Sequence, residues 1–287
     1  MSRKLDSVVL LINCPDRKGI VARVAGFIHD FGGNILDSDH HTDRETGHFL
    51  MRTEFELDDF QVPRDEIASA FEPVAKVFEM RYSLHDTHHR PRVAILVSEQ
   101  DHCLADLLQR HRRGELRIDV PVIVSNHDTC AMWADLYKIP FEVFQVGKET
   151  KAQQEQQVLA TLKHHRVELV VMARDMQILS PHFLAQVGCP VINIHHSFLP
   201  AFVGANPYRQ AYQRGVKLIG ATAHYATEDL DEGPIIEQDV ARAGQRDTVE
   251  DLIRKGRDLE EVVLARAVRL HVEHRVLVYG KKTVVFD

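Results

Sequence analysis

The first 84 positions switch between two hydrophobic periods. SVVLLIN, residues 7–13, is an unbroken apolar run of strand length. In GIVARVAGFIHDFG, residues 19–32, the apolar Ile20, Val24, Phe27, Ile28 and Phe31 recur three or four apart, the spacing of one helix face. Gly32-Gly33 stops that helix, because glycine takes left-handed backbone angles without a steric penalty. Strands are expected over 34–39 and 48–57 around a turn at 43–47. Pro63 opens a second helix at its first turn, and VFEMRYSL at 77–84 alternates as a closing strand. This is the split βαββαβ plan of a ferredoxin-like domain, expected over residues 1–84.

The polar stretch HDTHHRPR breaks the pattern, and residues 85–91 read as a linker. From 92 onward strands and helices alternate. RVAILVS is followed by a helix through CLADLLQRHRRG, VPVIVS by a helix around MWADLYKI, and FEVFQV by the polar helix KETKAQQEQQVLATLKHH; ELVVMA and PVINIH come next. Such alternation specifies a Rossmann-like α/β domain, mostly parallel and covered on both faces by helices, expected over 92–287. IGATAHYATEDLDEGPIIEQDV then reads as strand, loop and strand. A long amphipathic helix follows, with Leu252, Leu259, Val262, Val263, Ala267 and Leu270 on one stripe, and a hairpin turned at Gly280-Lys281 ends the chain.

Composition narrows the function classes. The 287 residues suffice for about two domains. With 35 basic against 42 acidic residues, the net charge of -7 argues against general affinity for nucleic acid or anionic membranes. Cys14, Cys103, Cys130 and Cys189 are scattered, as reduced thiols of a cytosolic protein are. The run from Val8 to Ile12 is too short for a signal-peptide core or a membrane span, so a cytoplasmic location is expected. The histidine clusters at 85–89, 40–41 and 164–165 lack a carboxylate or cysteine at ligand spacing, and no metal site is expected.

Candidate chemistry gathers in VINIHHSFLP, residues 191–200, which begins as a buried strand and ends in Asn193, His195, His196 and Ser197. The ligand crevice of a parallel sheet lies at the carboxyl ends of its strands, where these residues fall. The loop after His224 adds Glu228, Asp229, Asp231 and Glu232 before Gly233-Pro234. A carboxylate beside an imidazole can orient it or help activate water. Acidic turns are usually solvated and single histidines usually structural, so the residues alone leave both readings open.

Two resemblances change the picture. INCPDRKGIVARVAGFIHDFGGN, residues 12–34, resembles the ACT regulatory domains, in which a strand ends in a D-x-x-G-[IL]-[VL] turn leading into a helix. The matching positions are Asp16, Gly19, Ile20 and Val21. Free N–H groups at such a helix start can hold a carboxylate, so the resemblance implies an amino-acid effector, glycine or methionine, with a ligand-free oligomerisation module as the alternative. Further on, N-I-H-x-S-[LF]-L-P followed by L-D-x-G-P-I-I resembles the folate-dependent formyltransferase catalytic domain over roughly 90–270. Asn193, His195, Ser197, Leu199 and Pro200 match the first motif, and Leu230, Asp231, Gly233, Pro234, Ile235 and Ile236 the second. The resemblance implies a catalytic trio of Asn193, His195 and Asp231. It places Met176, Gln177, Ile178 and Leu179 near the folate, and the loop from Thr227 to Asp231 over its other edge. His196 and Ser197 are expected beside the substrate, His196 either tuning His195 or filling space; His224 either lines the site or is a satisfied structural histidine.

Attack on a formyl carbon develops negative charge on its oxygen, which needs waiting donors. Asn193 and a protonated His195 supply them, and Asp231 stabilises the imidazolium; the sequence leaves open whether His195 or Asp231 accepts the nucleophile's proton. Transferases of this family that act on a phosphorylated amine carry a G-x-x-S-N turn that cradles the phosphate. Here VSEQDHCLADLL, with Glu99 and Asp101, stands in that place and would repel one. HHSFLPAF-x-GA-x-PY-x-QA, residues 195–211, resembles formyltetrahydrofolate deformylases more closely than transferases. The expectation is therefore hydrolysis of 10-formyltetrahydrofolate by water to tetrahydrofolate and formate. Folate is the substrate, no metal or redox cofactor is required, the chain is homo-oligomeric, and neither nucleic acid nor membrane is a partner. A formyltransferase with a phosphate-free amine acceptor is the nearest alternative, and a non-catalytic folate or amino-acid sensor another. Asn206 departs from the lysine of many relatives, with Arg209 as its possible substitute.

Overall fold

The computed structural model describes residues 6–147, 149–200 and 207–286, and what covers β1 (Ser7–Pro15) explains why its apolar run does not alternate. β1 lies inside a four-stranded antiparallel sheet ordered β2-β3-β1-β4, where β2 is Ile35–Asp43, β3 His48–Glu56 and β4 Arg81–Asp86. On one face Val8, Leu10, Ile12 and Cys14 pack with Val24 and Ile28 of α1 (Ile20–Asp30) and Phe71 of α2 (Ile67–Phe78). On the other, Val9, Leu11 and Leu50 meet Leu277, Val284 and Phe286 of the C-terminal hairpin, whose strands are Val276–Tyr279 and Lys282–Val285. A strand buried on both faces reads as a continuous apolar run.

The chain divides into two compact units, and the division differs from the expected one. The segment from Glu273 onward, read as the end of the second domain, belongs with the residues up to His89; the second unit is Arg90–Val272. Without the hairpin the second face of the first sheet would be bare. Each large side chain it buries contributes about 1.5–3 kcal/mol. The hairpin is also held by polar contacts: His274 O accepts from Arg52 Nε at 3.2 Å, and Tyr279 Oη donates to Asp43 at 3.1 Å. The closing strand also starts later than its alternation suggests. Val77 and Phe78 complete α2, and Glu79, left-handed at φ 56°, caps it by donating to Ala75 and Lys76 carbonyls before β4 begins.

In the second unit β5 (Val93–Val97), β6 (Ile123–Ser125), β7 (Phe141–Val143), β8 (Leu169–Met172) and β9 (Val191–His195) are parallel. β10 (Leu218–Tyr225) and β11 (Ile235–Arg242) add antiparallel, giving the order β11-β10-β9-β8-β5-β6-β7. The order reverses between β5 and β8, the topological switch point of an open α/β sheet. The connecting helices are α3 (His102–Arg113), α4 (Ala131–Tyr137), α5 (Lys151–His164), α6 (Pro181–Gln186) and α7 (Pro207–Arg214). The 24-residue α8 (Val249–Val272) packs on β9, β10 and β11 and against α3 and α7. Among the described residues no helix is long and apolar enough to cross a membrane.

Candidate active site

Strand register assembles the site. Asn193 and His195 are two residues apart on β9 and therefore share a face. On β10, His224 lies opposite Asn193 and Thr222 opposite His195. Thr222, fully buried, fixes the turn that follows β9: its hydroxyl donates to Ser197 O at 2.9 Å and accepts from Leu199 N at 3.1 Å and Gln238 Nε2 at 2.9 Å. The β10–β11 loop then returns Asp231 to this face. Two local features permit that return. Asp231 is left-handed at φ 57°, and Gly233 passes so close to β10 that an added Cβ would stand 1.7 Å from Tyr225 O.

The polar atoms converge. His195 Nδ1 lies 3.2 Å from Asp231 Oδ1, and because a carboxylate only accepts, the proton of that contact belongs to the ring. His195 is 6% exposed, and its Nε2 is buried with no hydrogen-bond partner among the described residues. An unpaired buried polar atom of this kind calls for an explanation, and a ligand is one. His224 Nδ1 donates to Tyr225 O at 3.0 Å, which leaves Nε2 facing Asn193 Nδ2 at 3.3 Å and Asp231 Oδ1 at 3.6 Å. The neutral ring accepts from Asn193 and so orients its amide; the protonated ring donates to Asp231. Hydrogen bonds from His195 and then His224 hold the Asp231 carboxyl well below the usual carboxylate range, against the opposing effect of burial.

A cleft opens beside this cluster, lined by Gln177, Ile178, Leu179, Asn193, His224, Thr227, Leu230 and Asp231 among others. Gln177, Ile178, Leu179, His224, Thr227 and the rest of the loop lining, all expected around a folate, thus meet in one place with the trio's Asn193 and Asp231. Met176 is not among them: it is left-handed at φ 60° and 59% exposed. His196 and Ser197 line a different, largely apolar pocket of about 350 Å³ with Phe198, Tyr208, Leu218 and Val240. His196 sits against His195 with ring centroids 5.1 Å apart. Burial first, then the positive charge of Arg174, pushes its imidazole down to about 4, so it is neutral near pH 7. In the first unit Gly19 is left-handed at φ 93° directly before α1, Ile20 is buried and Asp16 exposed. Arg209 is exposed on α7, and Asn206 lies outside the described residues.

Past His196 lies a polar group that the sequence reading missed. Glu260 of α8 is 1% exposed; its Oε1 accepts from Tyr208 Oη at 2.6 Å and its Oε2 from His102 Nε2 at 2.8 Å, with Arg174 Nε 3.4 Å away. Arg174 also donates to Gln100 Oε1 at 3.0 and 3.2 Å. Burial alone would raise the Glu260 carboxyl, but His102, Arg174 and Tyr208 hold it below its ordinary value. The periodicity signal was present: Leu252, Gly256, Glu260, Val263 and Ala267 run along the buried side of α8 at helical spacing. His102, Cys103 and Glu260 have metal-ligand atoms close together, as do Asp6, Asp86 and His88. In the first group both Glu260 oxygens already take protein donors, and in the second Arg64 pairs with Asp6 and Asp86. Asp101, expected to repel a phosphate, accepts from Trp133 Nε1 at 2.8 Å.

The formyl transferase family model matches residues 91–268, and the ACT domain model residues 8–70. The formyltetrahydrofolate deformylase of Synechocystis sp. is 54% identical over 98% of both chains. The crystal structure of a formyltetrahydrofolate deformylase from Pseudomonas syringae pv. tomato superposes with a TM-score of 0.96 at 46% identity, covering 100% of this chain and 96% of that one. A glycinamide ribonucleotide transformylase from Symbiobacterium toebii matches 71% of this chain and 98% of its own, with a TM-score of 0.66 at 29% identity. Two-domain coverage at this identity separates the two groups, and the chain belongs to the formyltetrahydrofolate deformylase family, with an ACT domain ahead of a formyl transferase domain.

Proposed function

We infer that the chain hydrolyses 10-formyltetrahydrofolate to tetrahydrofolate and formate, and that Asn193, His195 and Asp231 carry the reaction. The observation that carries the residue assignment is the orphaned His195 Nε2, buried without a partner among the described residues while Nδ1 is held by Asp231, itself a lining residue of the cleft. Water gives a proton to His195 Nε2 as its oxygen bonds to the formyl carbon. The oxyanion is held by the amide N–H of Asn193 left over from its contact with His224. Asp231, which already accepts the Nδ1–H of His195, does not take that proton itself. It instead stabilises the imidazolium, which returns the proton to N10 as the carbon–nitrogen bond breaks. Gln177, Ile178, Leu179 and Thr227 hold the pterin in the cleft, and neutral His196 buttresses His195. This chemistry uses protein groups throughout, so the reading includes no cofactor.

Physiologically the reading is a cytoplasmic, homo-oligomeric enzyme that balances one-carbon folate pools and supplies formate for purine synthesis. An amino acid, glycine or methionine, binds at the Asp16–Gly19–Ile20 turn and regulates it. Purified protein given 10-formyltetrahydrofolate without any amine should form tetrahydrofolate and formate in equal amounts. Formylated product that appears only when an amine is added, with no formate, would overturn the hydrolytic reading. Activity unchanged across a broad amino-acid titration would remove the effector from it.

A further inference from the structure

The crevice at the β5–β8 switch point, where open α/β sheets take ligands, is filled by the chain's own side chains. Gln100 follows β5, His102 opens α3, Arg174 follows β8, Tyr208 comes from α7 and Glu260 from α8. Five separate segments thus send polar groups to one point. Arg174 is 6% and Tyr208 8% exposed, and both oxygens of Glu260 are bonded within the group. Tyr208 seats against α8 so closely that a Cβ on Gly256 would stand 2.0 Å from its hydroxyl. His196 links this group to the catalytic side, its ring centroid 6.1 Å from Tyr208 and 5.1 Å from His195. Burying a carboxylate and a guanidinium is costly even when they are paired, and an apolar filling would serve stability as well or better. The network touches neither Asn193 nor Asp231 in any hydrogen bond described above, so attack on the formyl carbon does not account for it.

We propose that the Gln100–His102–Arg174–Tyr208–Glu260 network determines nucleophile specificity by filling the space through which an amine would reach the formyl carbon, leaving room there for water. This rests on the hydrolytic reading above. The reaction refused is formyl transfer: an amine nitrogen bonds to the formyl carbon, the carbon–N10 bond breaks, and one amine proton ends on N10, giving a formamide and tetrahydrofolate.

The test is product partition with a small primary amine. Wild type, Tyr208→Ala, Tyr208→Phe and His102→Ala are given 10-formyltetrahydrofolate with rising glycinamide, and formate and formylglycinamide are both quantified. Wild type should yield formate, with formylglycinamide no higher than in protein-free controls. Tyr208→Ala should raise the ratio of formylated amine to formate by about tenfold or more, the scale at which a site discriminates by a small change in volume. Tyr208→Phe keeps the ring and should partition as wild type does. His102→Ala opens the same space from α3, and serves if Tyr208→Ala fails to fold. A folded Tyr208→Ala or His102→Ala protein with the wild-type ratio would overturn the proposal, as would wild type that formylates glycinamide. Wild type that releases no formate refutes the hydrolytic reading instead.

Discussion

His195 has two neighbourhoods, and they are built on opposite plans. On one side Asn193, His224 and Asp231 line a cleft with Ile178, Leu179 and Leu230, and His195 keeps one buried nitrogen, Nε2, without a partner among the described residues. On the side of His196 and Tyr208 the polar groups are buried as well, but Glu260 and Arg174 satisfy one another and their neighbours. Buried polar groups that are fully bonded rigidify a structure, whereas one left unbonded is a place for a ligand. The comparison teaches that what a site excludes is built from the same materials as what it binds.

Breaking the closed side should cost the fold most. Glu260→Ala strands the Arg174 guanidinium, and an unpaired buried charge of this kind costs about 3–5 kcal/mol; chemical denaturation should register it. Breaking the open side should cost turnover and leave the fold intact. Asn193→Ala removes an oxyanion donor, and kcat should fall by about 100- to 1,000-fold with an unchanged melting temperature. Gly233→Ala attacks the loop that delivers Asp231: the new methyl group collides with Tyr225 O, and the strain of about 1–3 kcal/mol should appear together with reduced kcat.

The smallest effect concerns pH. Folding lowers the His196 pKa from 6.5 to about 4, so between those values the unfolded chain binds more protons than the folded one. Stability contributed by neutral His196 is therefore complete above pH 6.5 and declines as the pH falls toward 4. Denaturation midpoints recorded across that window should drop with acidity, less steeply in His196→Asn than in wild type.

The sequence made these two sides unequally legible. Asn193, His195 and Asp231 stand in compact motifs whose spacing follows from one strand and one loop. Glu260 is harder to see because it lies among Asp258, Glu261 and Arg257, where a charged residue looks solvated; Leu259, its neighbour, is only partly buried. Only the helical phase set by Gly256 and Val263 places Glu260 inward. Tyr208 depends on α7, eight residues with three buried side chains, too short and too polar for periodicity to reveal. The ferredoxin-like and parallel sheets followed from strand and helix periods. The C-terminal hairpin was recognisable as a hairpin, but its partner was not, because local pattern does not say which distant sheet face lies bare. The continuous run of β1 held that information, since a strand with one solvated face would have alternated.

The central claim is that Asp231 sustains catalysis through His195 and is not needed to hold folate. It is tested most directly by measuring formate release and folate affinity in parallel for wild type and Asp231→Asn, without amine. The account predicts that formate release falls by about 100- to 10,000-fold, the range of a lost proton-transfer partner, while the dissociation constant for the folate changes little. An Asp231→Asn protein that keeps most of its turnover, or loses it only through weakened folate binding, would contradict it.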